Sequence, residues 1–379
     1  FAQIPSASYE VTDSDQVHYV TYLMSDGDNI MWIEANFATV KSYYGSNNRG
    51  AIPFGWSLSP SLVEIAPVFV NYLYRNATVN DEFYTSFSGL GYTYPDMYGT
   101  AASDIENREK LLDEYYRRTA EYMEAMDSEY VCFNEMKADN YDNEARDIML
   151  NAYAKYDQIK GGFLTYQINQ YQLDMPRAGA VYWKNDKPFV NLRESLWVGE
   201  NEVTRPKQIE KMSQIAFRIN QYSRNSKQIE GYSAVNIHPW SFTYDDVVAM
   251  TSMLEEDVVV VTPSEFLQLI AKNVPHETVL ELDDVMEFDY TNMPLYQDTT
   301  YLDLENVALL APSTQDYFDF EDGTQGWVPL PGRKELDQAL YSEFTEDGEF
   351  TGTYGIKLAG SHFSQDITEP NASAYNKIK

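Results

Sequence analysis

The stretch HYVTYLMSDGDN, residues 18–29, is a short apolar run that ends in a cluster of polar residues. Its first half is rich in β-branched and aromatic residues, which favour a buried strand. Its second half carries Asp26, Asp28 and Asn29. Seven runs of the same kind follow: AIPFGWSLSP (51–60), EFYTSFSGLGYTYP (82–95), EYVCFNEM (129–136), GGFLTYQINQY (161–171), PFVNLRESLW (188–197), GYSAVNIHPWSF (231–242) and DVVVVTPSEF (257–266).

Helical patterns separate these runs. The clearest covers residues 104–127, where apolar side chains recur every three to four positions. Thr262 as N-cap and Pro263 at the first helical position predict the start of the last helix. Eight strand-like runs alternating with helices over about 250 residues are typical of a (β/α) barrel. We therefore predict an α/β fold, a TIM-like barrel of seven or eight strands, with a doubly wound open sheet as the alternative.

Composition excludes several classes of protein. The 379 residues carry a formal charge of -32, which repels phosphate backbones and anionic lipid surfaces, so we expect no nucleic acid partner. No apolar run reaches the roughly 18 residues of a membrane-spanning helix. The single cysteine and four scattered histidines lack the spacing of a multi-cysteine or HExxH metal site, so we expect neither a resident metal nor another cofactor.

Composition shifts along the chain predict four parts. Residues 1–16 are a lead-in segment, 17–275 the barrel, 276–312 an irregular acidic connection, and 313–379 a partial β-sandwich. The DGTQGW turn and the YGIKL strand in the last part resemble the opening of carbohydrate-binding modules. The chain starts at Phe1 and not at Met, so we expect a processed product that is secreted, periplasmic or on the cell surface.

Polar and aromatic residues cluster where the predicted strands end. In a barrel these positions share one catalytic face. Carboxylates, carboxamides and flat aromatic rings dominate, a mixture that suits a neutral polyhydroxylated ligand. Beyond those of the first run, the residues are Trp56, Ser57, Tyr92, Tyr94, Asn134, Glu135, Gln167, Asn169, Arg193, Glu194, Asn236, His238 and Trp240.

Four acidic residues in three segments are candidates for chemistry. In SDGDN, Asp26 and Asp28 form a carboxylate pair for acid–base work or for a hard cation, or else cap the next helix. Glu135 ends the fourth run, and Glu194 lies beside Arg193, whose charge favours an ionised neighbour.

The segment GLGYTYPDMY, residues 89–98, is the most specific motif. Its two glycines permit positive φ or close backbone approach, and Tyr92 and Tyr94 face alike if the segment is extended. Gly89, Gly91, Tyr92, Tyr94 and Pro95 match the full GxGYxYP signature, so the chain resembles the bacterial family of glycoside hydrolases named for it, in its C-terminal, barrel-type part. The resemblance implies a carbohydrate substrate.

A resemblance to barrel glycosidases also implies roles for individual residues. FNEM (133–136) resembles the acid/base position of many retaining barrel glycosidases, so Glu135 is the expected acid, with Asp26 or Asp28 as its partner and Glu194 in reserve. The expected sugar-stacking residues are Tyr92, Tyr94, Trp56 and Trp240. The expected hydroxyl contacts are Asn29, Asn134, Asn236 and His238.

Two other functions stay open. One is carbohydrate binding without catalysis, through the same aromatic residues. The other is a metal-dependent deacetylase or esterase built on Asp26, Asp28 and His238, since VVVVTPSEFLQLI resembles the closing unit of polysaccharide-deacetylase barrels. The chain lacks the HxxxH loop of those enzymes.

Overall fold

The computed structural model describes residues 1–4, 16–25, 30, 37–99, 105–135, 143–166, 177–199, 203–277, 279–282, 286–297, 341–345 and 355–359. The strands are β1 (His18–Met24), β2 (Phe54–Leu58), β3 (Asp81–Thr85), β4 (Tyr130–Glu135), β5 (Gly161–Tyr166), β6 (Val181–Lys184), β7 (Lys187–Asn191), β8 (Glu194–Leu196), β9 (Tyr232–Ile237), β10 (Val258–Val260), β11 (Val279–Leu280), β12 (Tyr341–Thr345) and β13 (Gly355–Ala359). The helices are α1 (Leu62–Ile65), α2 (Pro67–Asn76), α3 (Ile105–Met126), α4 (Asn143–Ala154), α5 (Arg205–Gln221), α6 (Tyr244–Thr251) and α7 (Pro263–Asn273).

Strand β1 lies at the centre of the main sheet. It pairs in parallel with β9 along six residues, with β10 at its start and with β2 near its end. All seven of its side chains are buried. Tyr19 and Leu23 pack in one apolar cluster while Val20 and Tyr22 pack in another, because successive side chains of a strand point to opposite faces. Both faces of β1 are therefore buried, which accounts for its mostly apolar sequence.

The sheet is mixed and curled. Its strand order is β11-β6-β7-β5-β4-β3-β2-β1-β9-β8, with β10 attached to β1. Neighbours from β7 through β8 along this path are parallel, whereas β6 and β11 run antiparallel to their partners. Leu192 N donates to Leu164 O on β5 at 3.0 Å, and Arg193 N donates to Ala234 O on β9 at 2.8 Å. These two residues connect β7 to β8, and this short link is bonded to β5 on one side and to β9 on the other.

The predicted α/β class is confirmed, but the regular (β/α) barrel is wrong. The antiparallel hairpin of β6 and β7 occupies a position where the repeating unit of such a barrel needs a helix. The run at 188–197 is divided into two strands, and β10 is only three residues long. The architecture is thus a curled, mostly parallel mixed sheet that resembles half of a barrel.

Apolar clusters cover both faces of the sheet. On one face, a cluster including Val20 and Trp56 packs with α1, α2, α5 and α6, and a second including Phe133 packs with α3 and α4. The opposite face carries Tyr84, Cys132 and Phe163, with Phe266 of α7 in the same cluster. We call this the inner face.

The chain divides into two compact units, Phe1–Gln297 and Asp298–Lys379. In the second, β12 and β13 form an antiparallel pair in register from Tyr341 with Ala359 to Thr345 with Gly355. The four-part division and the β-sandwich stay predictions. None of the helices described is long and apolar enough to cross a bilayer.

Candidate functional site

The inner face changes from apolar to polar near the carboxyl ends of its strands. Strand alternation assigns these residues to the inner face, because their neighbours one position away, such as Val235 and Phe133, belong to the outer clusters. All of the residues are buried. We call them the polar band: Thr21, Ser25, Ser57, Ser86, Asn134, Thr165, Ser195, Asn236 and His238.

Three atoms of the polar band have no hydrogen-bond partner among the described residues. They are Thr21 Oγ1, Ser86 Oγ and Asn134 Oδ1, and each is fully enclosed. A buried polar atom without a partner costs about 1–3 kcal/mol, so native proteins pair such atoms with water or a ligand. All three belong to the same face of the sheet, where the polar band lies.

The GxGYxYP segment forms the loop after β3 and packs against β4. Ser88 Oγ accepts from Asn134 N at 2.9 Å and donates to Thr93 O at 3.1 Å. From α3, the Tyr115 hydroxyl donates to Gly91 O at 3.0 Å. The loop is therefore held on both sides, over the end of β4.

Tyr92, Tyr94 and Asn134 lie together. Asn134 Nδ2 donates to the Tyr92 hydroxyl at 2.8 Å, which leaves the orphan Oδ1 as the free acceptor of the amide. The two tyrosine rings meet edge to face, with centroids 5.7 Å apart and hydroxyls 3.4 Å apart. Tyr92 is 44% exposed. This arrangement offers an accessible aromatic surface beside a buried amide.

His238 and Asn236 follow one another along the inner face at the end of β9. Asn236 Nδ2 donates to Ser195 Oγ at 3.3 Å. His238 Nδ1 lies 2.6 Å from Ser241 Oγ, and its ring stacks on Trp197 with centroids 3.6 Å apart and planes 5° apart. Burial lowers the pKa of His238 to about 3, so the imidazole is neutral at ordinary pH.

Two predicted site residues lie elsewhere. Trp56 is fully buried in the outer core, where its indole N–H donates to Asp81 at 2.8 Å, so it is a core residue and not a stacking surface. Glu194 is fully buried against α5, where it accepts from Arg218 Nε at 2.8 Å and from the Tyr222 hydroxyl. Burial raises the pKa of its carboxyl, and the ion pair opposes the rise. The structure does not bring Glu194 to the polar band.

Other predictions fall outside the described residues or at their margin. Asp26, Asp28 and Asn29 follow Ser25 directly and lie outside them, as do Gln167 and Asn169. Glu135 is the last residue of β4, paired with Tyr166 on β5, and only its backbone is described. Trp240 lies in the turn after β9 and is 45% exposed.

The model of the family described as "GxGYxYP putative glycoside hydrolase C-terminal domain" matches residues 16–271. The chain belongs to this family. The match includes β1 through most of α7 and every described member of the polar band.

One solved structure is similar. It is titled a putative hydrolase from Bacteroides thetaiotaomicron VPI-5482, with 24% sequence identity and a TM-score of 0.56. The match covers 72% of this chain and 48% of that chain, so this chain spans about half the length of its relative. At this identity the likeness shows the fold alone. No curated protein matches the chain.

Several residues of the site were missed by sequence reasoning. They are small hydroxyl residues inside apolar runs, such as Ser86 and Ser195, together with Trp197 and Ser241. The available signal was alternation: in FGWSL the residues between the bulky ones are Gly55 and Ser57. In the described part of the chain, no group of three His, Cys, Asp or Glu side chains is placed to hold a metal ion.

Proposed function

We propose that this family member hydrolyses glycosidic bonds of a poly- or oligosaccharide that binds against the polar band. One observation carries the proposal: three buried polar atoms without partners lie on the same face as further buried hydroxyl and amide groups. A sugar presents many hydroxyl groups that act as donors and acceptors, so it satisfies such a surface. Tyr92 and Tyr94 add an aromatic surface for a sugar face.

Two carboxyl groups do the chemistry in this proposal. Glu135, at the carboxyl end of β4, protonates the leaving oxygen, while Asp26 or Asp28 serves as nucleophile or base. The position of Asp26 and Asp28 along the chain supports their role, because they closely follow Ser25 of the polar band. Ser25, which precedes Asp26, donates its backbone N–H to Ile237 O at 2.8 Å, beside His238.

The test is release of reducing ends from a panel of neutral and acidic glycans. On any glycan that the native protein cleaves, Glu135→Gln lowers turnover by about 100- to 10,000-fold, because general acid catalysis contributes that much. Asp26→Asn and Asp28→Asn identify the partner. Glu129→Gln, just before the amino end of β4, is the matched control and keeps full turnover. Unchanged turnover in Glu135→Gln removes that residue from the role.

A second candidate function is binding of the same glycans without cleavage. It is favoured by the absence of charge from the polar band, whose described members are all neutral. Slower migration of the protein through a gel that contains the glycan, without release of sugar, supports this candidate. Release of sugar that depends on Glu135 excludes it.

A further inference from the structure

The turn that carries His238 is fixed through its backbone. His238 N donates to Leu196 O at 3.1 Å, and His238 O accepts from Ser241 N and Phe242 N, both at 3.0 Å. Gln208 of α5 donates to Ser241 O at 2.6 Å. The two side chains that meet at this turn are therefore held in one relative position.

A proton count favours one tautomer of His238. The Ser241 hydroxyl has one hydrogen and lies 2.9 Å from Val198 O, which can only accept. When the hydroxyl donates to that carbonyl, the short contact to His238 Nδ1 at 2.6 Å needs a proton on the nitrogen. In the neutral imidazole, Nε2 then carries a lone pair.

The lone pair on Nε2 is available to accept a hydrogen bond from a ligand. Nε2 has no hydrogen-bond partner among the described residues, and the ring lies on the inner face beside Asn236. Trp197 covers one side of the ring, which prevents it from tilting. Burial resists protonation, so Nε2 remains an acceptor near neutral pH.

We propose that His238 is a fixed acceptor for a hydroxyl of a neutral sugar, and that Ser241 is the positioning residue that keeps Nε2 unprotonated. The inference rests on the proposed function and names its substrate class. A carboxylate or sulfate group would place its own lone pairs against Nε2, with no cation in the described polar band to compensate. Uronate-rich and sulfated glycans are thus excluded from this position.

Nitrogen NMR of the histidine rings tests the tautomer without any turnover. The chain has four histidines, and His238→Gln identifies the resonances of this one. In the native protein we expect the chemical shifts of a protonated Nδ1 and an unprotonated Nε2. In Ser241→Ala the difference between the two nitrogen shifts should decrease. Ser241→Thr keeps the hydroxyl and should restore that difference. A proton on Nε2 in the native protein, or an unchanged pattern in Ser241→Ala, overturns the proposal.

His18 is the internal control in the same spectra. Its Nδ1 lies 2.8 Å from Ser223 O, which fixes the same tautomer by a separate contact, and its resonances stay constant in every Ser241 variant. If they move with those of His238, the effect of Ser241→Ala is global and the positioning role is refuted.

The ligand class has its own probes, glycerol and sodium acetate. Glycerol, as a neutral hydroxyl donor, shifts the Nε2 resonance in the native protein, whereas acetate at the same concentration leaves it in place. A response to acetate, or none to glycerol, overturns the acceptor role. Because neither measurement needs catalysis, an inactive protein with the stated tautomer refutes the proposed hydrolysis but not this inference.

Discussion

The contact between Tyr92 and Asn134 shows how the signature motif acts at a single residue. The phenol oxygen accepts from Asn134 Nδ2 and so fixes which end of the amide points away from it. The orphan Oδ1 is thereby presented as an acceptor. A tyrosine is required for this, since phenylalanine offers the same ring without the oxygen.

Tyr92→Phe removes that hydrogen bond. The lost bond lies within the protein and leaves the buried Nδ2 of Asn134 without its acceptor, so we expect the free energy of unfolding to fall by about 1–3 kcal/mol. We also expect glycan binding to weaken roughly fivefold, because the amide is no longer held with Oδ1 as its acceptor end. Affinity electrophoresis and urea unfolding measure the two effects. Tyr72→Phe on α2, at an equally exposed tyrosine, is the control. Equal affinities in both variants would argue against the contact.

The two glycines of the motif differ in their surroundings. Gly89 has a φ of +141°, and a Cβ there would lie 2.6 Å from Thr119 Oγ1. At Gly91 a Cβ meets no atom of the described residues within 4 Å. Gly89→Ala should therefore cost about 1–3 kcal/mol of unfolding free energy, and Gly91→Ala about 0.5 kcal/mol or less. Urea unfolding of both variants checks this, and similar losses would contradict it.

At the residue scale, the sequence suggested Tyr92 from the motif and Asn134 from a strand end as separate candidates, and the structure places the two in contact. It misassigned Trp56, although the alternation Phe54, Trp56, Leu58 places three bulky side chains on one face. Which face becomes the site depends on the curl of the sheet. That curl arises from strands distant along the chain, so a single run does not reveal it.

At the scale of the elements, the N-terminus of α7 is bonded to a side chain from a distant strand. Thr262 precedes the helix as predicted, but its side chain makes no capping bond. The buried Glu82 carboxylate on β3 accepts from Ser264 N at 3.0 Å and from the Ser264 hydroxyl at 2.7 Å instead. A long-range contact thus replaces a local one.

Glu82 makes stability depend on pH. Burial raises the pKa of its carboxyl from 4.5 to about 7. The folded protein therefore binds this proton more tightly than the unfolded chain, so the stabilisation is complete below pH 4.5 and is lost as pH rises through 7. It amounts to roughly 3 kcal/mol.

Glu82→Gln cannot ionise, so its unfolding free energy should lack this decline. The measurement is urea unfolding at pH 5 and pH 8, taken as the difference between the native protein and the variant. Glu124→Gln, an exposed change on α3, should follow the native pH profile. Parallel profiles for Glu82→Gln and the native protein would refute the assignment.

The hairpin of β6 and β7 was missed although the sequence contains its signal. VYWK and KPFV flank Asn185 and Asp186, which have φ values of 51° and 59°. Two central residues with positive φ define the tight turn that matches the twist of a hairpin. The eight-run pattern hid it, because β6 lies in a stretch that was assigned to a helix-bearing connection.

On the scale of the molecule, residues 286–297 belong with the first unit. Tyr296 N donates to Ser213 Oγ at 2.8 Å, and Tyr290 accepts from Arg218 at 3.3 Å, so this segment lies along α5. Phe288 packs edge to face on Tyr222. The segment covers the helix side of the buried Glu194 ion pair.

Two fragments test this. A fragment of residues 1–297 should unfold at the temperature of a transition in the full chain, since the units are separately compact. A fragment of residues 1–277 uncovers α5 and should unfold about 3 °C lower, the shift that a loss of roughly 2 kcal/mol produces in a domain of this size. Calorimetry compares them, and equal midpoints would show that the segment contributes nothing.

The link of Leu192 and Arg193 between β7 and β8 has a consequence for how such chains can diverge. A surface loop absorbs an inserted residue, but both residues here are bonded to neighbours on different strands. One extra residue would turn Ser195 and Trp197 outwards and direct Glu194 inwards, since a one-position slip exchanges the faces of a strand. We therefore expect insertions and deletions at other connections, and only substitutions at the link of Leu192 and Arg193.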